Sequence, residues 1–532
     1  MTTDVFELPH DPERLEIAYQ TARKTGTVAV FAEALEADYA RQPDNLLLAA
    51  WHYRLTYAAV EIKRRIIAWR WAIPLALLNG LLFWGLSDTE RFSVSLEHPL
   101  ESGARYAFLP YLVLLWAPLA AVFVLLFLVL AGGGRWRRAA LAAALPLALA
   151  GYVLLVYAQA GPRVFQEQYL NLAALHLPLA AWAGVGLYLL WGRRRVADRF
   201  AFLLKSLEVF LLGGLMAAAG GVFTGISMGL FEALGITPPD IVLRLFLAGG
   251  GGLIPVLAVA VIYDPTASPA EQSFAEGLNR LIALIMRLLL PLALVVLLIY
   301  LGLIPFNFRQ PFLNRDVLII YNIMLFAVVA LLVAATPMTA PDAPTARWLR
   351  RGLLALAGMT LLVGLYALAA ILYRTSVDRL TPNRLTFIGW NLINIGILVG
   401  LLVMHRRRGA AGWPLSFQQT FAVAMIPYVL WALVVVSVIP WLFPIDRQAA
   451  ASLPPAIRQI VYDRPYPILL LCPGSPHIYQ LAGSEKRWIK DIPTFEAQGF
   501  RWDDVHKVDC ADLRAIPDGL PIPPDAGPPP TP

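Results

Sequence analysis

From Trp69 onward the chain repeats one unit, an apolar run followed by a short polar break. Each run holds about 20 residues, the length a helix needs to cross the ~30 Å hydrocarbon core of a bilayer. The runs lie near 69–87, 108–131, 139–159, 170–191, 203–232, 241–263, 281–304, 316–336, 352–373, 383–404 and 418–443. In lipid every backbone polar group must be satisfied within the segment, so runs of this kind must be helices. The pattern therefore predicts an all-α polytopic membrane protein with about 11 transmembrane helices over residues 69–444. Composition agrees: 58% of residues are hydrophobic and only 15% charged, where a soluble domain carries about a quarter.

The breaks set an orientation. Lys63, Arg64, Arg65 and Arg70 precede or open the first run, and the alternate breaks carry Arg135, Arg137, Arg138, Arg193, Arg194, Arg195 and Arg199. Arg347, Arg350, Arg351, Arg406, Arg407 and Arg408 continue the series. The other breaks are acidic or nearly uncharged, so the positive-inside rule predicts a cytoplasmic N-terminus and, after an odd number of spans, an extracytoplasmic C-terminus. The expected location is the bacterial inner membrane, with the lipid bilayer as partner. The net charge of +7 lies in these membrane-flanking clusters, which argues against nucleic acid as a partner. Asp4, Glu7, Asp11, Glu13 and Glu16 at the start exclude a cleavable signal peptide over those residues.

Residues 1–68 read as a small helical region, with helices over 16–24, 28–41 and 45–65, serving as a cap on the membrane domain or as a docking site for a soluble partner. At the other end, residues 445–467 read as a proline-punctuated linker and 519–532 as a proline-rich disordered tail. Between them, 468–518 has the balance of a small α+β extracytoplasmic module, with strands at 468–471, 477–481 and 486–489 and short helices at 494–498 and 511–515. The chain's two cysteines, Cys472 and Cys510, both fall there. Outside the cytoplasm they are candidates for a disulfide, with two buried thiols as the alternative. Trp488, Phe500 and Trp502 are either a binding face for a protein or cell-envelope ligand or the module's own core.

Within the membrane region small residues recur every fourth position at Gly213, Ala217, Gly221, Gly225 and Gly229. They share one helix face and predict close packing, with the following span and its glycines at 249–252 as partner. Those four glycines and Pro255 make that span the expected place for a broken or bent helix, a feature of transporter sites and of close packing alike. Ionisable groups at depth are costly. Glu208, Arg244 and Arg287 are thus either functional or, being near the ends of their runs, explained by snorkelling, and Glu208 has Lys205 as a candidate partner. Asn79, His176, Asn322, Asn391 and Asn394 lie deeper. Asn391 and Asn394 share a face, where they either join helices or line a cavity. The sequence contains no zincin, Walker or nucleophile-elbow motif, so no catalytic residue, metal or cofactor is expected.

One combination of motifs is more particular. A glycine-rich span is followed by EQSFAEGLNRL, then IYLGLIPF, then RLTPNRL before a polar-faced span in which Thr381 can cap the helix with Pro382 in its first turn. Over roughly residues 70–440 the chain resembles the bacterial membrane family called domain of unknown function 4153, chiefly through LTPNR at 380–384. The resemblance implies a multi-helix inner-membrane fold, with the C-terminal module as an addition, and implies no activity or ligand. The leading expectation is a non-enzymatic envelope or anchoring protein that displays the outer module. The alternatives are a secondary transporter or permease for a small or lipidic substrate, and a sensor or regulatory subunit.

Overall fold

In the computed structural model, residues 11–25, 28–61, 67–97, 105–274, 277–338, 343–377, 380–410 and 412–531 are described. The chain divides into two units, one ending at Ile67 and one beginning at Ala68. In the first unit, α1 (Pro12–Thr25), α2 (Val28–Arg41) and α3 (Leu46–Glu61) enclose Leu15, Phe31, Leu35, Leu48 and Trp51. Asn45 caps α3 by accepting from the Leu47 N–H at 3.0 Å. Arg54 lies over the Trp51 ring at 4.3 Å and pairs with Glu16 at 3.0 Å, tying α3 to α1. The basic cluster Lys63, Arg64 and Arg65 lies outside the described residues.

The second unit opens with α4 (Trp69–Leu86), a hairpin of β1 (Ser93–Glu97) and β2 (Arg105–Pro110), then α5 (Tyr111–Gly132), α6 (Trp136–Val156), α7 (Arg163–Leu189) and α8 (Val196–Ala233). Next, α9 (Asp240–Arg244), a π turn over Leu245–Gly249 and α10 (Gly250–Ile262) form one continuous helix. The bundle continues with α11 (Gly277–Leu303), α12 (Gln310–Leu313), α13 (Arg315–Ala335), α14 (Ala343–Val377), α15 (Pro382–Arg408), α16 (Trp413–Ser437) and α17 (Ile439–Leu442). Among the described residues, ten helices are long and apolar enough to cross a membrane. The sequence predicts eleven, and α4 makes the difference. Arg70 and Asn79 dilute its 18 residues, although it packs into the bundle with Ala72, Ala76, Gly80 and Phe83 buried.

Contacts between connections sort them to two ends. At one end Gly132 meets Pro265, Gly134 meets Tyr188, and the Gln418 amide donates to the Pro337 carbonyl at 2.8 Å. At the other, Gly161 meets Phe443, the Tyr152 hydroxyl donates to the Ser437 carbonyl at 2.6 Å, and Arg244 pairs with Asp88 at 3.7 Å. The first is the basic end, bearing the arginine-rich breaks; the second is the hairpin end. The break before β2 reads from sequence as an acidic loop, but SVSLE alternates with period two, and Val94 and Leu96 are buried among Leu114, Val153 and Ile439.

Two glycine-rich regions depart from expectation. The 249–252 run packs on α4, not α8: a Cβ on Gly252 would sit 2.7 Å from the Gly80 Cα, and one on Gly80 would sit 2.7 Å from the Gly249 carbonyl oxygen. Asn79 donates to the Gly252 carbonyl at 2.7 Å across the same seam. The helix is thus π-bulged before the glycines and runs unbroken through Pro255. On α8, Gly221, Gly225 and Gly229 have no neighbour among the described residues within 4 Å where a Cβ would stand, and of those residues Gly213 meets only Ile254, at 3.4 Å. Ala217 is exposed as well. Among the described residues the close-packing spine expected of this stripe is absent: apart from Thr224, the buried residues of α8 lie between Asp198 and Glu208, and further along the helix meets the next span through side chains, as at Gly213–Ile254 and Phe223–Phe246.

The C-terminal region is more ordered than its prolines suggest. Residues 445–467 form α18 (Arg447–Ala451) and α19 (Pro455–Asp463), with Pro455 in a first turn where proline is tolerated. Ile457 and Val461, one turn apart, are buried against β3 (Ile468–Leu471), β4 (Ile478–Ala482) and β5 (Glu485–Ile489). After α20 (Ile492–Ala497) come β6 (Val505–Lys507) and α21 (Cys510–Ala515). The sheet order is β5-β4-β3-β6, with β3 and β6 parallel. Cys472, just past β3, and Cys510, opening α21, form a disulfide with Cα atoms 5.0 Å apart. The expected disordered tail instead lines β5. Between prolines, Gly519 N–H donates to Lys486 at 2.8 Å and Ile522 N–H to Trp488 at 2.7 Å, which covers an otherwise open sheet edge.

Candidate functional site

The most polar part of the bundle interior is organised by α15. Thr381 caps it by accepting from the Arg384 N–H at 3.3 Å, with Pro382 in the first turn as the sequence predicts. Two turns further in, the helix turns polar side chains toward three neighbours. Trp390 donates from Nε1 to His176 Nε2 on α7 at 2.9 Å, and His176 Nδ1 lies 2.7 Å from the Leu172 carbonyl. That pair of contacts fixes the neutral tautomer with its proton on Nδ1. Asn391 donates to Asn322 Oδ1 on α13 at 2.7 Å, and Asn322 donates to the Leu318 carbonyl at 2.8 Å. Asn394 accepts from the Tyr428 hydroxyl on α16 at 2.5 Å.

Asn391 and Asn394 thus share a face, as their spacing requires, and join α15 to separate neighbours. Interhelical bonds of this kind average about 0.6 kcal/mol in membranes, so the set fixes register more than it adds stability. Two of its atoms, Asn391 Oδ1 and Asn394 Nδ2, are buried with no hydrogen-bond partner among the described residues. Tight aromatic packing surrounds them. Phe326 and Tyr428 lie 5.2 and 5.0 Å from Trp390, and a Cβ on Gly389 would run into the Trp431 ring.

At the hairpin-end mouth of this region lies a pocket of about 170 Å³, lined by Gln168, Asn322, Arg374, Asn383, Arg384 and Phe387. It reaches Asn322 and stops one hydrogen bond short of Asn391. Its volume is below the 300–1,000 Å³ of drug-sized sites, and it offers two guanidinium groups and three amides as ligand contacts. Thr381, the cap of α15, lines it as well. Among the described residues no group of three or more His, Cys, Asp or Glu could hold a metal ion. Sequence reading found Asn322 and Asn391 as deep polar residues but missed Gln168, Arg374, Arg384 and Tyr428. Arg384 had a signal, since it closes the LTPNR motif; Tyr428 reads as one more aromatic in an apolar run.

A second polar assembly joins bundle, hairpin and module. The Arg163 guanidinium, at the start of α7, pairs with Asp463 of α19 at 3.0 Å and with Glu167 one turn on. Glu167 also accepts from the Tyr106 hydroxyl of β2 at 2.7 Å. Burial, and after it the Glu167 carboxylate, holds the Tyr106 phenol above its usual titration range.

The other candidates fall apart from both assemblies. Glu208 pairs with Lys205 at 2.7 Å, both nearly inaccessible, and Lys205 also donates to the Ser273 carbonyl, so the pair pins α8 to the connection before α11. Arg244 pairs with Asp240 at 3.0 Å as well as with Asp88. Arg287 has a buried Nε without a hydrogen-bond partner among the described residues. Trp488, Phe500 and Trp502 do not make one face. Trp488 packs on the side of the sheet with Tyr479 and Leu481, whereas Phe500 lies on the opposite side with Phe495. Only Trp502 is open, at 57% exposure, stacked 4.7 Å from Phe495. Strand alternation explains the split, because Trp488 and its neighbour Ile489 must point to opposite sides.

No protein-family model matches this chain, and no curated protein or solved structure matches it.

Proposed function

We propose that this chain is a non-enzymatic, multi-pass protein of the bacterial inner membrane that holds its C-terminal module firmly docked on the extracytoplasmic face. The observation that carries this reading is the Arg163 assembly, in which one guanidinium engages carboxylates of bundle and module while a hairpin tyrosine closes the group. Such a junction, with 445–467 folded into helices, serves presentation of the module in a fixed attitude better than a flexible tether would. The disulfide supports an oxidising compartment for the module, and the arginine-rich breaks support a cytoplasmic basic end. The sequence resemblance to a family of unknown activity agrees with the location and adds no substrate. The test is labelling of intact spheroplasts with a membrane-impermeant maleimide. Cys472 and Cys510 are expected to react only after reduction, without lysis; reaction that requires lysis overturns the orientation.

The 170 Å³ pocket favours a second reading, a secondary transporter or permease for a small polar substrate. Under it, Arg374, Arg384 and Gln168 bind at the hairpin end, and passage requires the Asn322–Asn391 bond to open. Uptake that falls on Asn322→Leu while the folded yield holds would support this reading; binding without net movement would leave the pocket a ligand site only.

A further inference from the structure

At the basic end a groove of about 550 Å³ runs between α11 and α14, lined by Pro291, Leu294, Arg347, Trp348, Arg351 and Gly352. Its shape follows from a small residue. Gly352 lets α11 come so near that a Cβ there would stand 2.7 Å from Leu290 Cδ2, so the two helices touch at the groove itself. Two kinds of surface are therefore in register. Leu294 and Ala355 form an apolar floor leading along the bundle, and Arg347 and Arg351, four residues apart and on one face, stand at the entrance.

Charge balance is the second observation. Among the described residues no carboxylate pairs with Arg347, Arg350 or Arg351, in contrast to Arg163, Arg244 and Lys205, each of which has an acidic partner. Arg287 does not line the groove but continues its α11 side. It lies on the face of α11 that carries Pro291 and Leu294, at i, i+4 and i+7, one turn nearer the basic end, and its Nε is buried without a hydrogen-bond partner among the described residues. Exposed arginines alone would be satisfied by water. A buried guanidinium nitrogen beside two uncompensated ones, over an apolar channel, calls for an anion that brings its own apolar chain.

We infer that this groove holds an anionic phospholipid, with its phosphate between Arg287, Arg347 and Arg351 and an acyl chain along Leu294 and Ala355. Basic pockets between membrane helices on the cytoplasmic side suit such headgroups, and Trp348, 52% exposed at the entrance, is the residue type that settles at the headgroup level. The inference rests on the reading that the bundle spans a bilayer with its basic end inside. It adds that the protein selects lipid by charge at one site.

The experiment uses the full chain in nanodiscs of phosphatidylcholine alone or with phosphatidylglycerol, with bound lipid counted by native mass spectrometry. Incorporation into either disc tests the spanning reading separately, since a chain that fails to enter both discs refutes that reading and not lipid choice. The wild type is expected to retain phosphatidylglycerol in preference to phosphatidylcholine. Arg347→Gln with Arg351→Gln should weaken retention roughly thirty-fold, at about one headgroup contact per arginine. Arg406→Gln with Arg407→Gln, at the same end but outside the groove, should change it less than about two-fold. Ala355→Trp fills the floor and leaves the arginines in place, so loss of lipid in this variant marks an acyl chain. Equal retention of the two lipids, no change in the Arg347/Arg351 variant, or displacement of phosphatidylglycerol by millimolar inorganic phosphate with Ala355→Trp without effect would each overturn the inference.

Discussion

The α4–α10 seam and the outer two thirds of α8 have the same kind of sequence and opposite surroundings. In the seam, Gly80, Gly249 and Gly252 bring two backbones into contact, and a Cβ at Gly80 or Gly252 would strike main-chain atoms. On α8, Ala217, Gly221, Gly225 and Gly229, at four-residue spacing, face open space among the described residues, beside Phe210, Leu215, Val222 and Ile226, all exposed. The regular stripe is the unpacked one, and the irregular GGGG run, with one lone glycine opposite it on α4, is the packed one. Small residues permit close approach without causing it. Here the partner is chosen by Asn79, whose amide reaches the Gly252 carbonyl and fixes the register of the two helices.

The sharpest test of this contrast is the bulkiest. Gly252→Leu forces a side chain against the Gly80 backbone, and overpacking of a site that cannot move aside costs about 3 kcal/mol or more. Thermal unfolding in mild detergent should therefore show loss of the folded species or a large fall in midpoint. A midpoint unchanged from wild type would mean that α4 and α10 are not in contact. Arg163→Ala comes next. It leaves the Asp463 and Glu167 carboxylates without their cation at a half-buried site, at about 2 kcal/mol, and should open the region between α16 and β3 to protease while the bundle stays intact. This locates a junction made by charge, where the seam is made by shape. Equal protease resistance in the variant would show that the module is held by other contacts.

Smaller again is Asn79→Ala. Removal of one interhelical bond costs about 1 kcal/mol, since the lost bond is partly offset by relief of an amide whose Oδ1 is buried without a partner among the described residues. A double-mutant cycle with Gly80→Ala should show coupling between the two, because both act on the same contact. Additive effects would separate the hydrogen bond from the close approach and weaken the claim that Asn79 selects the partner.

These results also define what the sequence made legible. Periodicity and run length suffice for the helices, because each run is long and apolar enough to form one by itself, and the cap at Thr381 and the strands read at 468–471 and 486–489 are equally local. Pairing is not local. Nothing near 249–252 tells that its partner is Gly80, some 170 positions earlier, and nothing in RLTPNRL tells that Arg384 shares a pocket with Gln168. The proline-rich ends misled for a related reason. Proline weakens regular structure on average, but in the tail the donors of Gly519 and Ile522 alternate with prolines at the positions where β5 needs bonds, a match visible only once β5 is in place. Asn391 and Asn394 were readable as a shared face, but their separate partners, Asn322 and Tyr428, were not.

The smallest expected effect belongs to the α8 stripe, and its sign is informative. Gly221→Ala with Gly225→Ala adds two methyl groups where no atom of the described residues lies within 4 Å, so no clash with them is created. Alanine also restricts the unfolded chain and suits a helix interior better than glycine, by roughly 0.5–1 kcal/mol per site in water. The double variant should therefore unfold at the same midpoint as wild type or slightly above it, in the same detergent in which Gly252→Leu fails. Gly221→Leu with Gly225→Leu should behave alike, since leucine is a strong helix former and has room here among the described residues. A fall of several degrees in either variant would mean that the stripe is covered by the rest of the chain, and that the contrast between seam and stripe is one of partner and not of packing.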